Sequence, residues 1–482
     1  VWVDVNVPRG TKAGEYRGEL TVHAEQLKDT MRVPVVVEVL PAELPNRPSW
    51  IVELNSYGRI PGFAGVNADR QPDRAREALW KYYALGHQHR CELDALPYSQ
   101  NGYVESPFYV PVLDGEGAGT HVADWSQWDA FMGPMLSGEA FTEEKGYVGP
   151  CAGEPISHMY MPFHENWPIP MSAKHYADYM ECKTRLDFAE WAKKARRVEV
   201  AFHDQYKRGF VNVVREFFEH CADKGWTKTA FHFYYNNKYY WKVAFFGGMG
   251  RGGTSFWLLD EPVDFDDYDM NRFLLLLARA GHEAAGSPPI PVAYRTDVSQ
   301  PEMHRGLWDG VCDLWNCSSL MRFGSTVTAR RYWLPEEAFW RYGGGPGVSA
   351  PPVAMLRRLL ASWTAGTTGD LPYWDTFHGR GPAWRKGEDL AIHYSGQNYA
   401  NSGKSYDGPI ASVRMKWMRR VQQDVEYLHL LAGKDGWDRW RVRSALAPFA
   451  DDITEPVWSF DNMTTTQWNH LRQQVAATLL AE

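Results

Sequence analysis

Phe256-Trp257-Leu258-Leu259-Asp260-Glu261-Pro262 is the stretch on which the fold turns. Four apolar residues read as a short buried parallel strand, two carboxylates follow at once, and a proline that cannot donate to a ladder closes the run. Successive strand residues point to opposite faces, so neighbouring acids share a site only where the strand ends and the backbone turns. In a barrel of alternating strands and helices, chemistry gathers at the C-terminal strand ends. The bland alternative makes Asp260 the cap of the following helix and Glu261 solvated surface.

Working outward, short strand-like runs alternate with long amphipathic segments from Ser49 onwards, the texture of repeated βα units around a parallel sheet. Strand candidates fall at 50–55, 91–96, 158–163, 230–235, 255–259, 290–294, 311–315, 338–342 and 371–374, and helices at 186–224, 269–285, 352–364 and 410–431. Nine candidates compete for eight places. No glycine-rich phosphate loop follows the first strand, and Gly247 to Gly253 precedes a strand, so it reads as a loop. The expectation is an α/β chain: a (β/α)8 TIM-type barrel over 46–435 and a helical extension over 436–482. Residues 1–45, where Val1, Val3, Val5 and Val7 alternate with polar neighbours and Leu20 to Val22 and Val33 to Val39 are further strand runs, read as the end of a β-sandwich whose beginning is missing. The chain opens with neither Met nor a signal peptide, so either a leader and upstream sequence have been removed or the chain is a fragment of a longer one.

A net charge of -8 without any basic block argues against a nucleic-acid partner. No apolar run reaches the roughly 18 residues of a membrane span. The six cysteines are scattered without CxxC spacing and read as buried free thiols, although Cys312 and Cys317 could pair. The 22 Trp, 25 Tyr and 22 Phe in a chain of mean hydropathy -0.46 supply flat rings with polar tips, the surface on which a sugar's C–H faces and hydroxyls are held.

The strand ends are dense in such groups: Glu53 and Asn55, Asp94 and Tyr98, His164 to Trp167, Tyr235 to Asn237, Arg295 and Asp297, Trp315 and Asn316, Trp340 and Tyr342, Trp374, Asp375 and His378. A glycosidase needs one protonated carboxyl beside the leaving oxygen and a second group that stabilises the oxocarbenium-like centre. Where the second acid orients a 2-acetamido group, the amide oxygen becomes the nucleophile and the two acids can be neighbours. Asn55, Tyr235, Asn237, Trp315, Asp375 and His378 are candidate sugar contacts, and Glu165 is a further contact and the rival catalytic carboxylate. Asp424 and Glu426, on a long helix near Arg419 and Arg420, read as surface ion-pair residues. His164 and His378 lack an HExxH or other close ligand spacing, so neither a metal nor another cofactor is expected. The absence of GxSxG argues against an α/β-hydrolase.

The strand-end Asp-Glu-Pro, the segment Phe231-His232-Phe233-Tyr234-Tyr235-Asn236-Asn237-Lys238, the Trp374 segment and Arg419-Arg420-Val421-Gln422-Gln423-Asp424-Val425-Glu426-Tyr427-Leu428 together resemble the catalytic domain of glycoside hydrolase family 123. The opening Val1-Trp2-Val3-Asp4-Val5-Asn6-Val7-Pro8, with Gly14-Glu15-Tyr16-Arg17-Gly18 behind it, is similar to the end of the β-sandwich that precedes that barrel. The resemblance implies an exo-acting β-N-acetylgalactosaminidase that retains anomeric configuration through an oxazoline intermediate and uses no metal. By motif, Glu261 corresponds to the general acid and base, Asp260 to the group that orients the acetamide, and Trp340, Tyr342 and Trp374 to the barrel aromatics. The partner is then an oligosaccharide or glycoconjugate, and the substrate class implies a periplasmic or extracellular place. A barrel glycosidase acting on a sugar without an acetamido group, and a non-catalytic carbohydrate-binding barrel, are the alternatives.

Overall fold

The computed structural model describes residues 2–23, 30–57, 60–98, 104, 107–181, 185–237, 256–318, 334, 336–373, 376, 391–396, 408–454 and 457–481. Strands β1 (Gly14–Val22) and β2 (Met31–Val39) form an antiparallel hairpin that is mostly exposed and, among the described residues, pairs with no other strand. Residues 2–7, expected as a strand, run without a ladder.

The apolar runs from residue 50 onwards become the barrel. β3 (Ile51–Tyr57) is followed by the helix Pro72–Gln88 and β4 (Glu92–Leu96). A long excursion then carries the small hairpin β5 (Val112–Asp114) and β6 (His121–Asp124) and the helix Ser126–Ser137. β7 (His158–Tyr160) leads through the helix Asp204–Asp223 to β8 (Ala230–Phe233), and the helix Phe265–Ala284 leads to β9 (Val292–Val298). β10 (Leu314–Ser318), β11 (Ala338–Tyr342), the helix Val353–Thr364 and β12 (Gly369–Tyr373) complete the circuit. These eight parallel strands lie in the order β4-β3-β12-β11-β10-β9-β8-β7, a nearly closed (β/α)8 barrel with helices outside. Beyond it come a short hairpin of β13 (His393–Ser395) and β14 (Pro409–Ala411) and the helix Val413–Ala432.

Between β4 and β7 carboxylates replace the ladder. Glu92 Oε2 accepts the Ser157 N–H at 3.2 Å, and the buried Asp94 faces the Tyr160 backbone. Buried N–H groups need a partner, and an acidic side chain of one edge supplies it to the other.

Eight of the nine strand candidates match these strands; the ninth, at 255–259, does not. Ser255 lies outside the described residues, and Phe256 to Leu259 carries no ladder because side chains of a neighbouring helix hold its backbone. The helix expected over 186–224 is three pieces, Arg185–Ala192, Val198–Ala201 and Asp204–Asp223. Gly247 to Gly253 lies outside the described residues.

Asp424 and Glu426 are buried joints and not the surface pairs expected. Glu426 Oε1 accepts the N–H groups of Ser49 at 2.7 Å and Trp50 at 3.2 Å, pinning the entrance to β3, while Asp424 accepts from Trp468 at 2.6 Å and Arg472 at 2.5 Å on the helix Thr465–Leu480. Cys91, Cys151, Cys221, Cys312 and Cys317 are buried free thiols, so Cys312 and Cys317 do not pair. Among the described residues no helix is long and apolar enough to cross a membrane.

Candidate active site

Phe256 and Trp257 anchor the decisive segment among aromatics of the outer layer: Phe256 stacks on Trp191 with ring centroids 4.6 Å apart, and Trp257 packs edge-on to Tyr176 at 5.5 Å. The backbone then passes over the C-terminal ends of β8 and β9. Leu259 and Asp260 donate their N–H groups to the Asn237 carbonyl at 2.8 and 3.2 Å, and Glu261 donates to the Asp297 carbonyl at 3.0 Å. From the other side the helix Phe265–Ala284 clamps it. Asp267 Oδ1 accepts the Leu258 N–H at 2.8 Å, Asp267 Oδ2 accepts Val263 at 3.3 Å and Asp264 at 3.1 Å, and Asn271 Nδ2 donates to the Leu259 carbonyl at 3.1 Å. Residues 267 and 271 lie one helical turn apart on one face, so a single face fixes both sides of the segment.

Glu261 adopts φ +56°, a left-handed conformation that a non-glycine side chain disfavours by about 1–2 kcal/mol. That turn sets Glu261 against the ends of β9 and β11. Two hydroxyls hold the Glu261 carboxylate: Ser299 Oγ donates to Oε1 at 2.6 Å, Tyr342 OH donates to the same oxygen, and the hydroxyl oxygens are 2.9 Å apart. Burial, with Glu261 beside it, pushes the Tyr342 hydroxyl well above its usual range. Asp260 is 7% exposed. It immediately precedes Glu261 on the segment that crosses the C-terminal ends of β8 and β9. Asp260 is not the cap of the next helix; Asp264 is, in a reciprocal capping box with Asp267.

Beneath the pair the lumen is filled by an ionic layer. Arg295 donates to Glu53 through both terminal nitrogens, at 2.7 and 3.1 Å, and to Asp297 at 2.8 and 3.1 Å; Asn316 Nδ2 donates to Asp297 at 2.8 Å. Its guanidinium lies 5.0–5.3 Å from the rings of Tyr160, Tyr234 and Trp340. Burial pushes the Glu53 carboxyl up, but Arg295 and His158 outweigh it and hold Glu53 well below the usual range. Glu53, His158 and His232 bring ligand atoms within 4.8 Å of one another. A cation there would meet a carboxylate already taken by Arg295, His158 and Tyr160, with the guanidinium alongside.

The remaining sequence candidates divide. Asn237 holds Asp260 through its carbonyl and donates its side-chain amide to Glu165, which is wholly buried. Asn55 faces the lumen in register with Asp94. Tyr235 alternates outward from Tyr234 into the main core, with Tyr98, Tyr206 and Tyr294 about its hydroxyl. Trp315 also points outward, packed on His304 at 5.0 Å and Trp308 at 5.5 Å while its neighbour Asn316 points in. Trp340 is luminal but low: it lies over Gly369, where a Cβ would approach its ring to 2.6 Å, and lines a cavity of about 360 Å³ at the N-terminal end of the barrel. These three rings are therefore packing and not a sugar platform at the C-terminal mouth. Trp374, Asp375 and His378 lie outside the described residues. Ser299 escaped sequence reasoning, yet its signal was present, since alternation along β9 puts residues 295, 297 and 299 on one face.

A family 123 glycoside hydrolase from Clostridium perfringens shares this fold. That structure, described for glycolipid glycan hydrolysis, superposes with a TM-score of 0.53 at 11% identity, covering 98% of this chain and 77% of its own. An endo-β1,6-glucanase overlaps more loosely, with a TM-score of 0.39, 10% identity and 84% of each chain, and carries no argument. Compared with protein-family models and with curated proteins, the chain matches none. At such low identity the likeness concerns the fold alone; the chemistry has to come from the site.

Proposed function

We propose that the chain is a glycoside hydrolase that removes terminal β-linked N-acetylhexosamine, N-acetylgalactosamine above all, with retention of configuration. The observation that carries this is the left-handed Glu261, held by Ser299 and Tyr342 at the ends of β9 and β11 with Asp260 next to it in the chain. A fold shared with a family 123 glycoside hydrolase supports it. In the reaction the protonated Glu261 carboxyl gives its proton to the glycosidic oxygen as the C1–O bond breaks. Asp260 accepts the acetamide N–H and turns the amide oxygen onto C1, closing an oxazoline. Glu261, now a carboxylate, takes a proton from water, whose oxygen opens the ring at C1. Ser299 and Tyr342 donate to one Glu261 oxygen and so aim the carboxyl. With that substrate class goes a periplasmic or extracellular location, which belongs to the same proposal.

Aryl β-glycosides with and without the 2-acetamido group test the proposal. Glu261→Gln loses at least about 10³-fold in kcat while still binding sugar, and Asp260→Asn loses rate chiefly on the 2-acetamido substrates. Equal losses for Asp260→Asn on both substrate classes contradict its role.

A further inference from the structure

We propose that Asn236 and Asn55 form the polar floor of the sugar site and bind ring hydroxyls of the substrate; this rests on the glycosidase reading of Asp260 and Glu261. Asn236 is wholly buried, and neither Oδ1 nor Nδ2 has a hydrogen-bond partner; Asn55 is 3% exposed, and its Oδ1 has none. Buried polar atoms are almost always paired, so unpaired ones at the C-terminal strand ends are groups open to a partner.

Both residues face the lumen. Along β3, Glu53 reaches Arg295 inside the barrel, and Asn55 is the next residue on that face. Along the continuation of β8, the Tyr234 ring lies 5.0 Å from the Arg295 guanidinium, and alternation carries Asn236 to the same side. Asn236 is also adjacent in sequence to Asn237, whose carbonyl binds the Asp260 N–H, so its amide lies beside the backbone that sets the acids. The ionic groups below are different: Glu53, Arg295 and Asp297 satisfy one another and have little to offer a ligand. An amide offers donors and an acceptor together, the complement of a hydroxyl that both gives and receives. A site of this kind rejects a sugar lacking the matched hydroxyl, because its own buried groups stay unpaired.

The test uses the whole chain and its Asn236→Ala and Asn55→Ala variants, measuring kcat and KM on 4-nitrophenyl N-acetyl-β-galactosaminide, Kd for N-acetylgalactosamine by calorimetry, and Tm without sugar. KM and Kd rise at least tenfold while Tm stays level or increases, because a buried unpaired amide has been removed. Values of KM and Kd within twofold of wild type mean that the amides hold only water and overturn the inference. So does a Tm that falls together with binding, which marks the amides as structural. If the wild type binds the sugar without hydrolysing any glycoside, the glycosidase reading fails and the calorimetric contrast alone decides the floor; if it does neither, both fall.

Discussion

Asp267→Asn separates the clamp from the acids it positions. Asp267 is wholly buried, and its two oxygens take three backbone N–H groups, at 2.8, 3.3 and 3.1 Å. Asparagine keeps one acceptor: with its oxygen on Leu258, its NH2 faces the donors of Val263 and Asp264. Hydrogen bonds to a charged acceptor contribute about 1.5–3 kcal/mol each, and two long ones sharing an oxygen come to roughly 2–4 kcal/mol. In a chain of this length that lowers Tm by about 2–4 °C. The catalytic effect is separate. Once Leu258 to Asp264 is released, the left-handed turn at Glu261 relaxes, and a displacement near 1 Å lowers kcat by about 10²-fold with KM changed by less than about threefold. Asp370→Asn is the stability control, since Asp370 is buried against Arg358 at 2.7 Å and stands apart from the acids. Equal Tm losses with equal, small kcat changes in both variants refute the clamp as a positioning device.

Arg295→Met leaves Glu53 and Asp297 buried without their cation and lowers stability by about 3–5 kcal/mol; denaturant unfolding within 1 kcal/mol of wild type contradicts the ionic layer. Trp315→Phe lowers Tm while leaving KM unchanged, and a KM change of more than about threefold in steady-state assays puts its ring back at the mouth. Asp313 titrates at about 7 because burial pushes its carboxyl up against the Tyr294 N–H bond. A carboxyl raised in the folded state stabilises most below its unfolded pKa and loses that contribution as pH rises through the folded value. Wild-type Tm therefore falls relative to Asp313→Asn between about pH 4 and about 7, and a constant gap across calorimetric scans sinks that assignment.

Strand identity was legible wherever an apolar run of four to seven residues stood between turn signals, which covers the eight barrel strands. The same signal misled at Phe256 to Leu259, because periodicity reports burial and not which groups satisfy the backbone; here Asp267 and Asn271 do it from a helix. The acids themselves were legible as a pair. The left-handed turn there was not, since Glu261 carries no residue-type signal for positive φ. Aromatics divided by parity and height. Tyr342 ends its strand at the mouth on Glu261, Trp315 has the wrong parity, and Trp340 the right parity at the wrong level of the barrel. Composition counts rings without saying which side of a strand they leave from.

The carboxylate contacts of β4 with β7 have a consequence for how the chain tolerates change. Ladder-bonded neighbours must keep register, and any insertion between them has to return the chain to the same residue pairing. Glu92 asks only for one N–H group within reach, and the 61 residues from 97 to 157 are inserted at this junction. Exchange of that excursion for a loop of different length then leaves the other seven junctions in register, so a new rim could be fitted to the same barrel without refolding its wall.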